Sequence, residues 1–80
     1  MYTKQNILDK FRCFDIYAVA DRSCKDDISE IVVVINEIVM FSFYAVNEDE
    51  YKLDYHFDKV YFEALAFTVA NDGGAIYKLN

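Results

Sequence analysis

The chain has no proline, no tryptophan, a single histidine, two cysteines and two glycines. Without proline, and with Gly73 and Gly74 adjacent, nothing has the composition of a linker, so residues 1–80 are read as one domain. One histidine, His56, leaves no spaced ligand pair of the kind that holds zinc. Cys13 and Cys24 have no second pair beside them, which fits two reduced, partly buried thiols better than a disulfide framework. A long apolar run is missing too. The tract Ile31 to Val46 is broken by Asn36, Glu37 and Ser42, whereas a membrane-spanning helix needs about 20 mostly apolar residues. Lys4, Asn6 and Asp9 stand where a signal peptide would carry its apolar core, so the expected location is cytoplasmic, or the host cytoplasm for a phage-encoded chain.

What is present is apolar and aromatic. A chain this short buries only about 60–65% of its unfolded surface, so its core must be dense. Hydrophobic residues make up 55% of the sequence and aromatic ones 18%, which excludes a disordered chain, where too little apolar surface exists to offset the entropy of ordering. Charge is uneven. Residues 1–25 have a balance of +2, while residues 26–63 have ten carboxylates against Lys52 and Lys59, a balance of −8. Such a field repels phosphate backbones and disfavours direct nucleic-acid binding.

Thr3 is a fitting N-cap for a helix over Lys4 to Cys13, with Ile7, Leu8, Phe11 and Phe14 at helical spacing. Ile16 to Ala20 reads as a strand, although a continuing helix also fits. Over residues 26–38 the stripe Ile28, Ile31, Val32, Ile35, Ile38 and Val39 favours a helix, while the β-branched run Ile31 to Ile35 favours a strand. The helix reading is preferred, with Asp27 and Glu30 as its capping pair. An apolar run from Val39, the turn-like Asn47-Glu48-Asp49-Glu50 and the alternation through Phe57 predict a β-hairpin. Asp58 then caps a helix stopped at Asn71-Asp72-Gly73-Gly74, and Ala75 to Leu79 forms a last strand. The expected fold is α+β: an N-terminal helix plus a small antiparallel sheet, β-α-β-β-α-β-like, with helices packed on one face.

A slip of one residue turns every side chain of a hairpin over, so the apolar pattern selects its register. A loop of Glu48 to Glu50 sets Phe43 against Tyr55, Phe41 against Phe57 and Ala45 against Leu53 on the core face. Ser42, Tyr44, Lys52, Asp54 and His56 then share a solvated face, with Ser42 across from His56. That trio of Ser42, His56 and Asp54 lacks an oxyanion hole and a nucleophile turn, so no catalytic residue is assigned and no enzyme is expected. The carboxylates near the turn lack the spacing and glycine of a calcium loop, and Gly73-Gly74 follows a helix instead of opening one. No cofactor or metal is expected.

Charge and aromatics remain. Tyr44, Tyr51, Tyr55 and Tyr61 are the tyrosines weighed as contact residues, Tyr44 being the best placed. The expected function is a small acidic binding protein that docks on a basic, nucleic-acid-binding surface of a partner such as a nuclease and inhibits it. Its partner-binding residues would be Tyr44, Glu48, Asp49, Glu50, Asp54, His56 and Asp58. In size and charge the chain is analogous to phage anti-defence proteins of the anti-CRISPR kind and to immunity proteins, although no motif supports the analogy. The alternative is a self-associating subunit, a homodimer formed through a sheet edge and the apolar excess.

Overall fold

A computed structural model describes residues 1–20, 28–36, 40–57 and 59–80, without the side chains of 40, 55–57 and 59–61. Thr3 starts the first helix. Its hydroxyl accepts from the Asn6 N–H at 3.1 Å, and Asn6 Oδ1 accepts from the Thr3 N–H at 3.1 Å. The reciprocal pair satisfies donors that a helix start otherwise leaves orphaned. Helix α1 spans Lys4–Lys10 and stops short of the expected Cys13. Phe11 leaves helical geometry as its ring packs on Phe43 and Phe41, with centroids 5.8 and 6.5 Å away. A tertiary contact ends this helix. Cys13, expected to be partly buried, is exposed, and Cys24 lies outside the described residues.

Five strands follow the expected α+β plan: β1 (Asp15–Ala20), β2 (Glu30–Val34), β3 (Met40–Ala45), β4 (Tyr51–Phe57) and β5 (Ala75–Lys78). Their spatial order is β4-β3-β2-β1-β5, with every neighbouring pair antiparallel. Helix α2, Lys59–Asn71, carries the chain from one edge of the sheet to the other.

The helix expected over 26–38 is corrected by the structure: 30–34 is the central strand, and 26–27 and 37–38 lie outside the described residues. Ile31, Val32 and Val33 are each 0% exposed. Successive side chains of a strand point to opposite faces, so both faces of β2 are covered. A strand buried on both sides is apolar at every position, and it therefore shows a helical stripe as readily as a strand's alternation.

The expectation that the helices share one face is likewise overturned. On one face Ile7 of α1 packs with Ile16, Ile31, Val33, Phe43 and Tyr51. On the other, Val69 of α2 packs with Val19 and Val32, flanked by Phe62, Leu65, Val34 and Ile76. The fold is a three-layer sandwich. Helix α2 ends as the sequence predicts. Gly73 has φ 83, its N–H donates to Ala70 O at 3.3 Å, and the Gly74 N–H donates to Val69 O at 2.8 Å. Such closure needs a left-handed residue that glycine accepts without a Cβ clash. Asp58, expected to cap this helix, is outside the described residues.

The width of α2 sets what it can cover. At a rise of about 1.5 Å per residue it is ~20 Å long, enough to cross strands spaced about 4.8 Å apart from β4 to β5. A helix is only about 10 Å wide, so it leaves part of that face open.

Two substitutions separate core from cap in urea denaturation. Ile31→Ala is expected to destabilise by about 2–5 kcal/mol through cavity formation. Thr3→Ala should cost about 1 kcal/mol, because it removes only the cap of an exposed helix start.

Candidate functional site

The hairpin of β3 and β4 carries most of the residues that the sequence nominates, and Asn47 shapes its tip. Asn47 Oδ1 accepts from the N–H groups of Asp49 and Glu50, both at 2.9 Å, and Asn47 Nδ2 donates to Glu50 Oε1 at 3.1 Å. Such an Asx turn stiffens a loop by satisfying its own backbone donors. The Val46 N–H donates to Glu50 O at 2.9 Å, which leaves Asn47, Glu48 and Asp49 as the loop. The loop length is odd, as expected, but its centre lies one residue earlier.

The register shifts accordingly: Ala45 pairs with Tyr51, Tyr44 with Lys52 and Phe43 with Leu53. None of the expected pairs, Phe43 with Tyr55, Phe41 with Phe57 or Ala45 with Leu53, occurs. Between Phe41 and Phe43 the register slips again, so that Phe41 pairs with His56 and Met40 with Phe57. The extra residue lies in β4, where Asp54 and Tyr55 together span what Ser42 spans in β3. A bulge is the one irregularity that changes side-chain parity within a strand, and no local sequence signal announced it here.

These shifts relocate the site. Ser42 is not across from His56 and not solvated: it is 1% exposed, and its hydroxyl donates to the Glu30 carboxylate. The register thus pairs His56 with Phe41 and not with Ser42, as the trio of Ser42, Asp54 and His56 required. Leu53, expected in the core, is 47% exposed at the edge strand. Tyr51 is core, and Tyr2 pairs with it through two backbone hydrogen bonds, 2.9 Å from Tyr2 N to Tyr51 O and 2.7 Å in return.

Tyr44 keeps its expected place. It is 40% exposed on the part of the α2-side face that the helix leaves open, opposite Lys52 and near Asp54, which are also exposed. Glu48, Asp49 and Glu50 are exposed at the tip. Of the remaining nominees, His56 is placed only by its register in β4, and Asp58 lies outside the described residues. An open groove of ≈ 390 Å³ runs between the start of α1 and the tip, lined among others by Thr3, Lys4, Glu48 and Asp49 over Ile28 and Tyr51.

Glu30 is the functional candidate that the sequence reading missed, having been assigned to a helix cap. As the first residue of β2 it pairs with Tyr44, and it is half-buried. Burial pushes its carboxyl above the ordinary value, the Ser42 hydrogen bond draws it back down, and the nearby Asp54 charge raises it further. The structure thus places one desolvated carboxylate behind an exposed one.

Among the described residues no group of His, Cys, Asp and Glu is arranged to hold a metal, and no helix is long and apolar enough to cross a membrane. Comparison with protein-family models, with curated proteins and with solved structures returns no match to this chain. Its functional reading rests on its own side chains.

A carboxyl whose native pKa is raised contributes most at pH below its unfolded value of 4.5 and loses that contribution as pH rises through the native value. Glu30→Gln is therefore expected to be more stable than the unsubstituted chain at neutral pH. The difference should close as pH falls toward 4.5, as read from urea denaturation across a pH series. Asn47→Ala, which removes the side-chain bonds of the tip, should lower the denaturation midpoint by an amount equivalent to about 1–2 kcal/mol.

Proposed function

We propose that this protein is a non-enzymatic binding protein whose acidic, tyrosine-bearing hairpin docks on a basic surface of another protein and blocks it. One observation carries the reading. Glu48, Asp49 and Glu50 project from a tip stiffened by Asn47, and exposed Tyr44 and Asp54 lie behind them at the open corner of the sheet. A rigid tip loses little entropy on docking, its charges steer a basic partner, and a tyrosine supplies apolar area with a polar end.

The basic surface fits the phosphate-binding groove of a nuclease or another nucleic-acid-binding protein, whose charge the tip would mimic. Inhibition by occupation of such a groove is how phage anti-defence proteins of the anti-CRISPR kind and immunity proteins act, and the analogy supplies a partner class. The action would be cytoplasmic, or in the host cytoplasm for a phage-encoded chain.

Self-association is the second reading. Phe67, on the outer side of α2, is 72% exposed, a large apolar side chain that a second copy could cover. Light scattering over a concentration series decides it: a mass that stays monomeric at every concentration removes this reading.

For the docking role, the measurement is association with a captured basic partner at several salt concentrations. The triple substitution Glu48→Lys, Asp49→Lys and Asp54→Lys should lower the low-salt association rate by about tenfold or more and flatten its salt dependence. An unchanged rate would remove the acidic hairpin as the docking element.

A further inference from the structure

We infer that Glu30, Ser42 and Asp54 form a proton-operated latch that sets how firmly β4 is held to the sheet from Asp54 onward. The latch is a property of the fold. Its consequence for docking rests on the function proposed above.

The three residues lie on one face of three consecutive strands. Glu30 begins β2 opposite Tyr44, and Tyr44 in turn pairs with Lys52. Ser42 is two residues from Tyr44, so alternation brings it to the face of Glu30, and Asp54 lies in the β4 pair that spans Ser42, close enough for its charge to act on the Glu30 carboxyl. The buried Ser42 hydroxyl donates to Glu30, which holds that carboxyl over β3 on the side toward Asp54.

Protonation decides the charge of this corner. Its other charged groups among the described residues are Lys52 and Asp54 from β4, while β3 contributes Tyr44 and Ser42, and β1 contributes apolar Val19 opposite Glu30. With Glu30 neutral, it sets no charge against Asp54. With Glu30 ionised, its charge and that of Asp54 repel in a partly desolvated setting, where repulsion is stronger than in water. Burial and the Asp54 charge both raise the Glu30 carboxyl, in the direction that brings its titration toward neutrality.

The repulsion has a part that can yield. β4 is an edge strand, it is interrupted by the bulge at Asp54 and Tyr55, and Tyr2 bridges its outer side at Tyr51. β2 is packed on both faces and stays in place. Local opening of such a strand needs less free energy than global unfolding. Ionised Glu30 therefore loosens β4 from Asp54 onward, and protonated Glu30 closes it.

Amide hydrogen exchange read by NMR, as protection factors corrected for intrinsic rate, tests this from mildly acidic to neutral pH. In the unsubstituted chain, protection of the β4 amides is expected to fall severalfold relative to β1 and β2 as pH rises. Glu30→Gln should keep β4 protection high and level, and Asp54→Asn, which removes the facing charge, should shrink the fall. Equal pH profiles for β4 and β2, or the same fall in Glu30→Gln, would overturn the latch. Binding to an arginine-rich peptide is measured on the same samples. A latch seen by exchange without any such binding supports the inference and counts against the docking role, which keeps the two failures distinct.

Discussion

The fold depends on burying one strand on both of its faces. Ile31, Val32 and Val33 in β2 are fully enclosed, and each such side chain contributes about 1.5–3 kcal/mol on leaving water. Their alternation demands an apolar layer above the sheet and another below. Helix α1 meets the first demand with Ile7, supported by Phe11 and Tyr2 against Phe43, and α2 meets the second with Val69, Leu65 and Phe62. A five-stranded sheet with β2 at its centre lets β1 and β3 complete both layers. The chain is too short to cover everything. One helix of about 10 Å width leaves a corner of its face open.

That corner and the neighbouring tip hold Glu30, Ser42 and Asp54 at one end of the hairpin and Glu48, Asp49 and Glu50 at the other. Near the corner, desolvation has made a carboxylate sensitive to its neighbours, since Glu30 accepts from buried Ser42 and senses Asp54. At the tip, water screens Glu48, Asp49 and Glu50, and the Asn47 turn gives them fixed positions without a core beneath. The β3–β4 hairpin therefore runs from a solvated acidic tip to a partly buried corner that it shares with Glu30 of β2.

Legibility in the sequence followed the range of the interactions. Thr3 as a cap and Gly73-Gly74 as a helix stop were readable because both act on backbone groups only a few residues away. The hairpin was readable from alternation and its turn. Its register was not, because Asn47 moved the loop by one residue and the bulge at Asp54 and Tyr55 changed parity partway along. Tyr44 and the acidic tip were readable as exposed candidates, whereas Ser42 was misplaced in solvent. Glu30 escaped notice because its significance lies in a cross-strand neighbour with no signal near it in sequence.

By itself the sequence determined the α+β class, the Thr3 cap, the Gly73-Gly74 helix stop, the turn chemistry and the concentration of acid in residues 26–63, all of which follow from composition or from contacts within a few residues. The tertiary structure alone decided that 30–34 is a strand, that the helices lie on opposite faces, and that Glu30 meets Ser42 and Asp54. The physical reason is common to all three. Burial on two faces removes the periodicity that tells strand from helix, and what a side chain faces across a sheet is set by pairing between distant residues, which no local pattern records.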